Sequence, residues 1–376
     1  MANLMPWTLA SWQCVVLRAA YHVAIAAKKG QFPRTLRNPT TDLPDSTRAQ
    51  ALLARVFGAR AAAALIDAPI DGAINRTFPV TLDDTRYALR LRVNEAGFRY
   101  EKGIAKSALV GAIHAAKRDG ATDRLAAAAK PNGKAPPHAP QLHHWSDGDD
   151  LWPLPWEIAS WCPGDAIGAA HATPSAAALI RAAHAIADIH AVAFDGGKAD
   201  LLNLAGPDQD FASWVGGAIE RELARGPVPG AIDGYARAIA RKAKPVARWT
   251  LVHNDLHGLH LIDDAAAQRL WIIDWDNALV APSELDFVKL KHWTRIDAAT
   301  GHLSADAAMY GAILSAYETK TGRTLDADVF AACEALWLLR VWRFESERRE
   351  QGRPTPILFA GPEIYRAALD RLAEAA

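Results

Sequence analysis

The chain has 376 residues, with 42 Lys and Arg set against 42 Asp and Glu, 13 His and three Cys. That length suggests about two domains and a core that needs no disulfide or structural metal. A formal net charge of zero argues against nucleic-acid and anionic-membrane binding, which need a surplus of Lys and Arg.

Residues 7–27 are apolar, but Arg18 and His22 interrupt them, so no run of about 18 apolar residues is long enough to span a bilayer. Lys28 and Lys29 follow the apolar run, where a signal peptide would carry basic residues before it. Residues 1–45 therefore read as an N-terminal extension. Residues 31–46, rich in Pro, Thr and Asn, read as a linker.

Ser46 and Thr47 are candidate caps for a helix running to about residue 63. Residues 73–81 and 86–93 form two strand-like runs about the turn Leu82-Asp83-Asp84, which predicts a hairpin. In the second run Tyr87, Leu89, Leu91 and Val93 alternate with Arg86, Ala88, Arg90 and Arg92. A helix is expected over 101–116, a Pro/Gly loop over 130–140, and strands over 141–145 and 156–161, the last stopped by Pro163-Gly164.

Beyond Gly164 the texture is helical, at about 173–194, 210–224, 230–243, 305–320, 326–350 and 361–375. A strand–loop–strand interrupts it at 250–275. Strands first and helices after predict an α+β protein of two unlike lobes, with boundaries near 46–160 and 161–376. Cys14, Cys162 and Cys333 form no CxxC pattern and no disulfide framework, so a cytoplasmic setting is the default.

The densest ionisable cluster is HNDLHGLHLIDDAAAQRLWIIDWDNALVAPSELDF, at 253–286. Two apolar runs, 250–252 and 271–273, end in His253-Asn254-Asp255 and in Asp274. If those strands pair, the two carboxylates lie close together. Carboxylates at buried strand ends are costly unless they bind something. Oxygen and nitrogen donors of this kind suit Mg²⁺, with one carboxylate left free to accept a proton. Turn capping by the two Asp is the structural alternative.

This cluster resembles the catalytic core of the aminoglycoside phosphotransferase-like small-molecule kinases, whose pattern is HGDLHxxN, a short strand pair, then IDW(D/E). The resemblance implies a protein-kinase-like bilobal fold, with a nucleotide-binding N-lobe and a helical C-lobe that builds the acceptor pocket. It implies ATP or GTP as co-substrate, Mg²⁺, and transfer of a phosphoryl group to a hydroxylated small molecule. Asp255 takes the place of the catalytic base, His253 supports its loop, and Asp274 with His260 takes the place of the metal ligands. Two positions depart from the commonest pattern. His260 stands where Asn is usual, as in macrolide phosphotransferases with HGDLHxxH, and Asn254 stands where Gly is usual. In the family the Asp of SELDF, here Asp286, braces the catalytic loop, and His190 matches a structural helix end.

Carried backwards, the resemblance places the nucleotide loop at Asp71-Gly72-Ala73-Ile74-Asn75, with Gly72 and Asn75 near the phosphates. Arg90 takes the place of the phosphate-contacting cation. Glu101 is the acid expected to pair with it, and Glu95 competes for that role. Backbone groups around Ser160, Trp161 and Cys162 fall where the family reads the nucleobase. Trp337, Arg340 and Phe344 share helical spacing, which fits either core packing or an apolar acceptor wall. The partner is thus a small hydroxylated acceptor, with no nucleic acid and no membrane, for a monomer or homodimer. Two other classes compete. One is a kinase-fold binding or regulatory protein with weakened turnover. The other is a metal-dependent hydrolase, although neither HxHxDH nor HExxH occurs.

Overall fold

A computed structural model describes residues 43–71, 75–93, 138–146, 148–191, 193–194, 210–244, 246, 249–352 and 359–376. Gly72, Glu95, Glu101, the helix expected over 101–116 and the N-terminal extension up to residue 42 lie outside the described residues. The chain divides into two compact units, one within Met1–Ala126 and Ala139–Pro163, the other within Ala127–His138 and Gly164–Ala376.

In the first unit, helix α1 (Ser46–Phe57) is capped by Asp45 rather than by Ser46 or Thr47; the Asp45 carboxylate accepts the Arg48 N–H at 2.8 Å. Its apolar face, Ala49, Leu52 and Leu53, has helical i, i+3, i+4 spacing and is fully buried. It shares a core with Phe78 and Val80 of β3 (Asn75–Leu82), Leu89 and Leu91 of β4 (Thr85–Arg92) and Ile158 of β6 (Trp156–Ser160). Asp83 and Asp84, at φ 47° and 59°, form the two-residue left-handed turn that matches the twist of the β3–β4 hairpin. The sheet runs β1 (Leu65–Ile66), β3, β4, β6, β5 (Leu142–Ser146), and β2 (Ile70–Asp71) also pairs with β3. All of these pairings are antiparallel.

The second unit is built on helices. The buried helix α7 (Ala327–Glu350) packs against α3 (Phe211–Leu223), α4 (Gly230–Lys242), α5 (Glu284–His292) and α8 (Pro362–Glu374). Helix α2 (Ala176–His190), capped by Ser175, lies against α6 (Ala307–Thr321). Trp293, Trp337 and Trp342 belong to this core, at 4%, 8% and 8% exposure. They fill the unit, and the acceptor-wall reading of Trp337 is not met.

The strand expectation also needs correction. The runs ahead of Asp255 and Asp274 do not pair with each other. β9 (Trp249–Val252) pairs with β8 (Ala193–Phe194) and β12 (Leu279–Ala281). β11 (Arg269–Ile272) pairs with β10 (Leu261–Asp264), which pairs with β7 (Asp165–Ala166). Asp264-Ala265-Ala266-Ala267-Gln268 lets the chain turn straight back on itself, so β11 takes its nearest neighbour. Among the described residues no helix is long and apolar enough to cross a membrane.

Candidate active site

The loop after β9 is held by a buried carboxylate. Asp286, in the first turn of α5, accepts the His253 N–H at 2.8 Å through Oδ2 and the Asn254 N–H at 2.6 Å through Oδ1. His190 Nε2 also meets Asp286 Oδ2 at 3.0 Å, and its Nδ1 meets the Tyr317 hydroxyl at 3.0 Å. Asn254 has φ 58°. That left-handed conformation favours Gly and is tolerated by Asn, so Asn254 is a workable replacement for the usual Gly. Its side-chain N–H donates to the Asn277 carbonyl at 3.1 Å. Gly258 is required for a different reason. A Cβ there would collide with the Thr294 carbonyl, and Gly168 packs against it from another side.

His253 links the two carboxylate loops. The Asp255 N–H donates to His253 Nδ1 at 3.2 Å, so that nitrogen carries the lone pair. The proton is then on Nε2, which donates to the Ile273 carbonyl at 2.8 Å. Burial, followed by the neighbouring His260, pushes the His253 pKa down and keeps the ring neutral. The ring also packs edge-on against Trp275, at 4.8 Å between centroids. This clamp does the work that direct pairing of β9 and β11 was expected to do.

Asp255 Oδ1 accepts from Lys289 Nζ at 2.6 Å, and Oδ2 accepts from Asn277 Nδ2 at 2.9 Å. Burial pushes the Asp255 carboxyl up, but the Lys289 ammonium, His260 and His257 together outweigh it and hold the group well below the usual carboxylate range. Asp274 sits just past β11 in a left-handed conformation, φ 64° and ψ 62°. Asp, like Asn, tolerates this region better than most non-glycine residues. His260 donates from Nδ1 to the Asp255 carbonyl at 2.8 Å, and its other ring nitrogen, Nε2, lies 3.6 Å from Asp274 Oδ2.

Among the described residues no three His, Cys, Asp or Glu side chains form a ready metal cage. His253 has spent both ring nitrogens and has none left to hold a metal. Asp274 and His260 offer two donors. A two-donor set fits Mg²⁺, which commonly completes its shell with water and phosphate oxygens.

In the first unit, Arg90 donates to Glu157 Oε1 on the neighbouring strand at 2.6 Å. The sequence pointed to Glu101 or Glu95 as the acid, and both lie outside the described residues. Asn75 opens β3 opposite Arg92 in the register. The nucleobase expectation at Ser160, Trp161 and Cys162 is narrowed. The Ser160 N–H donates to the Gln141 carbonyl at 2.8 Å and the Trp161 N–H to the Arg86 carbonyl at 3.1 Å, so neither N–H is left for a nucleobase. Cys162 is half-buried, with Sγ 3.9 Å from the Ser160 carbonyl.

Lys289, Asn277 and Glu157 were not singled out from sequence. For Lys289 a signal existed. It lies three residues after Asp286, on the same helical face.

The sequence profile of the phosphotransferase enzyme family matches residues 67–327. Among solved structures, a macrolide 2'-phosphotransferase from Brachybacterium faecium aligns at 16% identity and TM-score 0.52, over 87% of this chain and 98% of its own. The aminoglycoside phosphotransferase APH(4)-Ia aligns at 13% and 0.53, over 88% and 99%. An ethanolamine kinase from Plasmodium vivax aligns at 12% and 0.52, over 94% of each chain. A thermostable mutant of APH(4)-Ia, aligning at 13% and 0.51 over 87% and 98%, was solved with AMP-PNP and hygromycin B. At these identities the likeness is one of fold. No curated protein matches the chain.

Proposed function

The chain belongs to the phosphotransferase enzyme family, and from that premise we propose that it transfers the γ-phosphoryl group of ATP or GTP to a hydroxyl of a small molecule. The observation that carries this reading is the arrangement about His253. One neutral ring ties the backbone of Asp255 to the strand end that presents Asp274, while His260 turns its Nε2 to Asp274.

Phosphoryl transfer needs positioning and charge neutralisation more than covalent chemistry. Asp255, fixed by Lys289 and Asn277, accepts the hydrogen bond of the acceptor hydroxyl and aims its oxygen at phosphorus. A carboxylate held so far below its usual range is a weak base, so it takes the proton late, when the new P–O bond has acidified the hydroxyl. Asp274 and His260 would hold Mg²⁺, which would supply neutralisation of the phosphate charge. Arg90, fixed by Glu157, is assigned to the nucleotide phosphates, together with the backbone about Gly72 and Asn75. The base-reading role falls to carbonyl groups near Ser160 and to Cys162.

The test is an acceptor screen with labelled γ-phosphate, run separately with ATP and GTP. Mg²⁺-dependent transfer to a hydroxylated compound, lost in Asp255→Asn, is the expected result. Nucleotide binding with no transfer and no hydrolysis would replace this reading with a binding protein. Turnover of an ester or lactam with Zn²⁺ and no nucleotide would replace it with a hydrolase.

A further inference from the structure

Lys289 is the cation at the Asp255 carboxylate, and the sequence motifs did not single it out. Its ammonium donates to the Asp255 carboxylate at 2.6 Å and lies 5.6 Å from the centroid of the Trp293 ring. The side chain is 14% exposed and Asp255 is 20% exposed, so solvent screens the pair only in part. Ion pair and ring together fix the head of an otherwise flexible side chain.

The acid that offsets this cation, Asp255, is taken up by that pairing, and Glu284, Asp286 and Glu334, on α5 and α7, have other work. Glu334 on α7 accepts from Lys291 at 2.7 Å and His292 at 2.6 Å. Asp286 holds two backbone N–H groups and His190. Glu284 accepts the Asp326 N–H at 3.0 Å. The last turn of α5 carries Lys289, Lys291 and His292 and no acid. An acceptor hydroxyl that bonds to Asp255 must therefore enter beside a fixed ammonium. A second ammonium on the acceptor, next to the reacting hydroxyl, would meet a like charge at short range in a poorly screened place.

We propose that Lys289 is a positioning and specificity-determining residue, which fixes Asp255 and reserves the acceptor subsite for a hydroxyl on a neutral or anionic molecule. Acceptors whose reacting hydroxyl is flanked by an ammonium group are turned away. This inference rests on the phosphotransferase reading above.

The test uses the full chain with labelled ATP and GTP and acceptors in matched pairs, with and without an amine beside the hydroxyl. Glucose with glucosamine and glycerol with serinol are two such pairs, and gluconate and glycerate supply anionic members. Release of phosphate to water is followed in parallel. In the wild type, kcat/KM for the amine-free members is expected to exceed that for the aminated ones by about tenfold or more. Lys289→Met is expected to lower kcat toward the neutral acceptor more than it raises KM, and to shrink the preference. Lys289→Arg is expected to restore both. Melting curves check folding, and Lys289→Gln replaces Lys289→Met if the latter does not fold. Equal or better use of the aminated acceptors by the wild type would overturn the inference and leave the phosphotransferase reading standing. So would unchanged kcat and preference in folded Lys289→Met. No transfer to any acceptor or to water, from either nucleotide, would overturn that reading and this inference with it.

Discussion

His260 faces Asp274 Oδ2 across 3.6 Å with Nε2, while its Nδ1 is committed to the Asp255 carbonyl at 2.8 Å. One ring thus ties the backbone of the proposed base to the proposed metal carboxylate, and its tautomer is set by the bond it donates. Asp274→Ala is expected to abolish the Mg²⁺-dependent part of nucleotide binding. His260→Asn restores an oxygen donor at that position and is expected to keep most of it. His260→Ala should fall between the two. Calorimetry with and without Mg²⁺ checks all three, and unchanged affinity in Asp274→Ala would remove that residue from the metal site.

Asp255→Asn is close in shape to the native side chain but cannot accept a proton, and it sets an amide against Lys289 and Asn277. Turnover is expected to fall by a factor of about 10²–10⁴, the usual worth of a general base, with nucleotide affinity nearly unchanged. The check is kcat under saturating nucleotide beside a binding isotherm. Near-normal turnover would assign the base elsewhere.

Arg90 and Glu157 pair across neighbouring strands, with side-chain exposures of 18% and 15%. Glu157→Gln keeps a hydrogen-bond acceptor but loses the charge that steers the guanidinium. The nucleotide KM is expected to rise by about threefold to tenfold, with kcat changed less. Arg90→Ala should raise it further. If neither variant moves the KM, Arg90 is an ordinary strand residue.

The local motifs were legible because their causes are local. HNDLHGLH and IIDWD announce the donors Asp255, His260 and Asp274, and an apolar helical stripe announces α1. What was not legible depends on distant partners. Pairing of β9 with β12, rather than with β11, is decided by the turn after β10 and by chain lying outside both strands. Glu157 reaches Arg90 from 67 positions away and Lys289 reaches Asp255 from 34, so neither partner shows in a linear pattern. The three tryptophans Trp293, Trp337 and Trp342 show the limit of composition. Trp337 shares helical spacing with Arg340 and Phe344, which was compatible with a pocket wall, and only packing places it in the core with the other two.

The pH dependence of stability follows from a group remote from the motifs. His144 lies on β5 with its ring 4.5 Å from Trp156, and burial pushes its pKa down to about 4. In the unfolded chain it titrates at about 6.5. Between those values the unfolded state binds the proton and the folded state does not, so stability rises with pH across the window. The full contribution is present above about pH 6.5 and is lost as pH falls towards 4, an effect on the order of 2–3 kcal/mol. His253 and His257, both pushed down by burial, give the other unit a slope of the same sign. Lowering pH from 7 to 4.5 is therefore expected to lower the melting temperature. His144→Phe should flatten the part that belongs to the β-rich unit, because it keeps the ring against Trp156 and removes the titration. A melting profile that is flat in the wild type, or equally steep in the variant, would contradict this assignment.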